Sequence, residues 1–192
     1  MKVVNKKLFV VSIILLVLSV VAWAYLLQPL VIYEGEDGEI FNYISWLSSE
    51  YFMPYLAAGT ASGVSMMALF GTIFAAFCTI RGIGGILKAC GIIKMKTLKG
   101  LFAFFGFLLG LIMLGVAFSN CGMNTLIFLD EGDEYFTNMI FELVMLLNVF
   151  IMCIVAKILE SGIKKEVKRA KEESKFQKAV AEAVAEKEAS AE

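Results

Sequence analysis

Apolar and polar positions in this chain segregate into long blocks and do not alternate residue by residue. Four apolar stretches, residues 8–33, 53–80, 100–129 and 135–156, are separated by short charged segments. The first three hold no charged residue, and the fourth holds one, Glu142. Each exceeds the roughly 20 residues that a helix needs to cross about 30 Å of hydrocarbon. Helix is the expected form, because lipid offers no partner for a free backbone amide. A transmembrane β-barrel would need alternating apolar and polar positions, which these stretches lack. The pattern therefore predicts an all-α integral membrane protein, a four-transmembrane-helix bundle. Its spans should fall at about residues 8–28, 57–80, 100–120 and 137–158. They form one transmembrane domain over residues 1–159, followed by a charged helical tail over 160–192.

The segments between the spans carry patterns of their own. EIFNYISWLSSEYFMPY, residues 39–55, places Ile40, Ile44, Leu47 and Tyr51 on one face of a helix. Tyr43, Trp46, Phe52 and Tyr55 add aromatics. The expectation is a short amphipathic helix on the outer membrane surface, or capping the bundle, that ends at Pro54. RGIGGILKACGIIKMKTLK, residues 81–99, could extend span two and bend at Gly91. Its Gly82, Gly84 and Gly85 do not make a GxGxxG nucleotide loop, since Leu87 stands where the last glycine belongs. In the tail, Ile163, Val167, Ala170, Ser174, Gln177, Ala181 and Val184 follow a 4-3 spacing with poor knobs. A solvated helix continuing from span four is favoured over a coiled coil.

Small residues mark helix contacts. Span two carries Gly59, Gly63, Gly71 and Ala75 at intervals of four or eight, and span three carries Gly106 and Gly110. Such stripes let helices approach closely where lipid gives no hydrophobic incentive to associate. They suit packing within the bundle or between subunits.

Charge supplies the orientation. All 17 Lys and Arg fall before span one, between spans two and three, or at and beyond the end of span four. The other two loops hold only acids: Glu34, Glu36, Asp37, Glu39 and Glu50 in one, Asp130, Glu131, Asp133 and Glu134 in the other. The positive-inside rule puts both termini in the cytoplasm and the acidic loops outside, as for a protein of the cell (plasma) membrane. The basic segments suit an anionic inner leaflet. MKVVNKK, an apolar run and Ala22-Trp23-Ala24 also imitate a signal peptide. The uncharged stretch is longer than a signal core, so retention as an anchor is favoured; cleavage would leave three spans.

Candidate chemistry is sparse. Histidine is absent, which removes Ser-His-Asp and Cys-His arrangements. The four cysteines form no CxxC pair or zinc spacing, and DEGDE at 130–134 departs from an EF-hand loop. No cofactor, metal or catalytic set is expected, and the mixed-sign tail, with Phe176 its lone aromatic, argues against nucleic acid. Two polar residues inside span four stand out. Glu142, near the outer end, should lean outward to water, favoured by the helix N-terminus. Asn148, near mid-membrane, should bond across to another helix, with Ser65 and Ser19 as candidate partners at similar depth. Glu142 and Asn148 could instead line a solute path, but facing spans offer few polar residues. The function expected is that of a non-enzymatic membrane protein acting through helix packing and tail contacts: an assembly, scaffold or regulatory component. Its partner would be a second copy in a homo-oligomer or another membrane protein. The alternative is a transporter or channel subunit for a cation or small solute.

Overall fold

The computed structural model describes residues 5–32, 39–58, 62–93, 99–131 and 136–189. Among these the chain is mostly helical, with four helices long and apolar enough to cross a membrane. Asn5 caps the first, α1 (Lys6–Leu26), by accepting from the Leu8 amide at 3.0 Å. The helix stops short of Pro29, whose ring disfavours helical backbone in the residue before it.

The segment after α1 departs from the single amphipathic helix expected there. Residues Leu30–Ile32 (β1) and Glu39–Phe41 (β2) pair antiparallel, so Ile40 lies in a strand opposite Val31. Asn42 then opens the four-residue α2 (Tyr43–Trp46) with a capping box: its side chain accepts from Ser45, whose hydroxyl meets the Asn42 amide. The Ser48 and Ser49 hydroxyls bond back to the carbonyls of Ser45 and Trp46 at 2.9 and 2.8 Å, which offers the backbone an alternative to continued helix. A separate helix, α3 (Phe52–Ala58), contains Pro54 in its first turn. Proline belongs there because a first-turn amide has no intrahelical acceptor. It sits in the start of a helix and does not end one.

The second long helix is built in sections: α4 (Ser62–Met66), a π-helical turn (Met67–Gly71) and α5 (Thr72–Ala89). Gly91 closes it at φ 73°, with the Ile92 amide on the Leu87 carbonyl and the Gly91 amide on that of Lys88, both at 2.9 Å. This Schellman arrangement needs a residue that tolerates left-handed backbone. The helix thus passes well beyond residue 80 and bends where the glycine predicts. The third and fourth long helices are α6 (Lys99–Glu131) and α7 (Phe136–Ala189).

α1 packs mainly on α5 and α7, and α6 mainly on α7. Neighbours run antiparallel: the Asn5 amide bonds the Ala89 carbonyl at one end, while Tyr25 meets Glu142 at the other. The buried residues of α1 include Leu8, Ser12, Leu15, Ser19, Ala22 and Leu26; those of α7 include Glu142, Met145, Val149, Met152, Leu159 and Ile163. Both sets follow the 3-4 spacing of a left-handed helix pair. Gly82 and Gly85 let α1 and α5 close together, since a Cβ at Gly82 would stand 2.6 Å from Leu16 and one at Gly85 would collide with Ser12. The basic end is tied by Asn5–Glu166 and by Arg81–Glu160 at 3.9 Å.

Candidate functional site

At the end of the bundle that holds α2, Glu142 of α7 is buried, with 6% of its surface exposed. Tyr25, in the last turn of α1, donates to Glu142 Oε1 at 2.5 Å. The Tyr43 hydroxyl lies 3.3 Å from the same oxygen and 3.1 Å from the Tyr25 hydroxyl, so its single hydrogen is shared between two acceptors. The two rings stack at 5.4 Å. The outward, water-facing carboxylate expected from the sequence is therefore corrected: it is buried, and the Tyr43 side chain of α2 lies against it. A helix of four residues can hold this place because it is anchored twice, through Tyr43 and through Trp46, whose indole donates to Ser65 at 2.9 Å. Tyr43 and Trp46 are both fully enclosed. Burial, and then the adjacent Glu142 carboxyl, push the Tyr43 phenol up from its ordinary range and keep it a donor.

Oxygen Oε2 of Glu142 is enclosed and meets no hydrogen-bond partner among the described residues. Among the described residues no lysine or arginine acts on it. Arg81 and Glu160 meet at the opposite end, and Lys157, the nearest lysine along α7, is about 22 Å away at ~1.5 Å rise per residue.

Asn148 lies one to two turns deeper. Its amide donates to the Leu18 carbonyl of α1 at 3.2 Å and approaches Met152 Sδ at 3.5 Å. The bond does cross to another helix, but it ends on backbone and on neither candidate serine. Ser19 is buried and returns its hydrogen to the Leu16 carbonyl at 2.8 Å, and Ser65 serves Trp46. Glu142, Tyr25, Tyr43, Trp46 and Ser65 thus belong to one end of the bundle, while Asn148 and Ser19 are separate contacts in its middle.

The glycines are contact points within the chain. Gly63 faces Asn120 of α6, Gly71 faces Leu26, Gly106 faces Phe77, and Gly110 faces Cys153 and Phe74. Gly59 lies outside the described residues. All four cysteines are free thiols. Among the described residues no cluster of three or more acids or cysteines could hold a metal.

The sequence reading missed Tyr25 as a partner of Glu142. A signal existed: Tyr25 is the first hydroxyl-bearing aromatic in an otherwise greasy span, and a buried phenol needs a partner. Comparison with known proteins adds no relative: no family model, curated protein or solved structure matches the chain.

Proposed function

We propose that this chain is a non-enzymatic membrane component that carries a rigid helical arm on its cytoplasmic side, for assembly, scaffolding or regulation of a partner. The observation that carries this reading is α7. It is one helix from Phe136 to Ala189, packed in the bundle as far as Ile163 and exposed on all sides over residues 171–181. Beyond Val167 it has about 33 Å of length at ~1.5 Å per residue. Phe176 and Val180 lie open on it. The bundle beneath is filled by Leu15, Met67, Met113, Met145 and Met152, which favours a structural platform over a hydrated path.

In this reading both termini are cytoplasmic and the basic end lies against an anionic leaflet. Removing the chain after Lys168 should abolish co-purification of the partner while the four spans still insert. An unchanged partner set would overturn the proposal. The orientation has its own check: with the four native cysteines replaced by alanine, a reporter at Ser174→Cys should react with an impermeant maleimide only after the cells are permeabilised.

A second reading, a transporter or channel subunit for a cation or small solute, rests on the buried Glu142 carboxyl. Reconstituted flux that Glu142→Gln leaves untouched would remove its support.

A further inference from the structure

Three facts about Glu142 belong together. Its carboxyl is shut away from solvent, one oxygen accepts from two phenols, and the other oxygen has no partner among the described residues. A bare carboxylate needs a cation, several donors or water to hold its charge away from bulk solvent. The titratable groups that act on it are Tyr25 from α1 and Tyr43 from α2; α5, α6 and the π turn present none among the described side chains. A metal ion would need several oxygens, and Oε1 already accepts from Tyr25 and from the shared Tyr43 hydrogen.

We propose that Oε2 of Glu142 is a proton-binding site, loaded while α2 covers it. Loaded, the group is a neutral acid: Oε1 is the carbonyl oxygen that accepts from Tyr25 and Tyr43, and Oε2 carries the hydrogen. α2 is both a donor to the acid and its cover, so the proton exchanges with water only when α2 lifts. Unloading passes one proton to the water that enters and leaves a carboxylate that needs that water. Proton loss and release of Tyr43 and Trp46 are then one event. This site is independent of the helical arm, and loss of either proposal leaves the other standing.

Infrared spectra of the full-length protein in lipid test this directly. A carboxylic-acid C=O band at neutral pH that is present in the wild type and responds to substitution at Glu142 or at its phenol partners reports this group. The band should shift down in D2O and be lost in Glu142→Gln. Tyr25→Phe should move it to higher wavenumber, and Tyr43→Phe should move it less, because the Tyr43 hydrogen is shared. These two variants keep the test alive if Glu142→Gln does not fold. On raising the pH the band should vanish. In a Trp23→Phe background, Trp46 should become open to acrylamide over the same range, and Glu142→Gln should keep it covered throughout. A neutral-pH spectrum with no acid band, whether water or Na+ holds the charge, would overturn the site. An acid band that disappears while Trp46 stays covered would overturn the coupling to α2.

Discussion

Tyr25 and Tyr43 reach the same oxygen of Glu142 but not equally. Tyr25 donates at 2.5 Å from a long helix, whereas Tyr43 stands at 3.3 Å on a four-residue one. Removing a hydrogen bond to a buried acidic group costs about 1–3 kcal/mol. Tyr25→Phe should therefore lower the thermal unfolding midpoint of the detergent-solubilised protein clearly, and Tyr43→Phe by less. Equal losses would mean that the shorter contact carries no extra weight. Asn148 makes a different kind of bond, to the Leu18 carbonyl, which already serves α1 as a helix acceptor. Interhelical bonds of this kind contribute roughly 0.6–2 kcal/mol, so Asn148→Leu should be a mild change in the same assay.

Between elements, the contacts are made by the smallest residues. Gly85 admits Ser12 where α5 crosses α1, whereas a Cβ at Gly115 on α6 would meet nothing within 4 Å. Overpacking costs typically ~1–3 kcal/mol. Gly85→Leu should depress the unfolding midpoint or block accumulation of folded protein, while Gly115→Ala should leave it unchanged. A Gly85→Leu protein with the wild-type midpoint would show that α1 and α5 do not close on that glycine. The four long helices were legible because their apolar runs are long enough to leave no alternative in lipid. The end of α5 was legible because Gly91 is the one residue there that accepts positive φ cheaply. The packing seams of α1 and α7 were harder to see, since both sides of an apolar span are greasy and periodicity fades. Ser12, Ser19 and Ala22 did mark the α1 seam, as small or polar residues at 7-3 spacing in a run of Val, Ile and Leu. The cover over Glu142 was legible only in part: a helix capping the bundle within residues 39–55 was expected, but not that it would enclose Glu142. It depends on Ser48 and Ser49 breaking a plausible amphipathic helix, and on Tyr25 arriving from over a hundred residues away.

On the scale of the whole molecule, α7 belongs to two environments, and where one gives way to the other can be located. Leu159 and Ile163 are buried, Glu166 bonds Asn5, and beyond that point the described side chains are solvated. The first turns after the apolar stretch are thus part of the bundle, so the unit that folds is longer than the apolar stretch itself. Burying a side chain such as Ile is worth ~1.5–3 kcal/mol. A chain cut after Glu160 loses Ile163 and the Asn5–Glu166 tie together, and its unfolding midpoint should fall. A chain cut after Lys168 keeps both and should match the full-length protein. Lys168 gives up only its pairing with Glu172 at 3.9 Å, an exposed i,i+4 contact worth a few tenths of a kcal/mol. Equal midpoints for the two truncations would place the boundary of the bundle at the end of the apolar span. A loss in both would mean that the arm itself holds the bundle together, and the cut after Lys168 would then no longer isolate partner binding from folding.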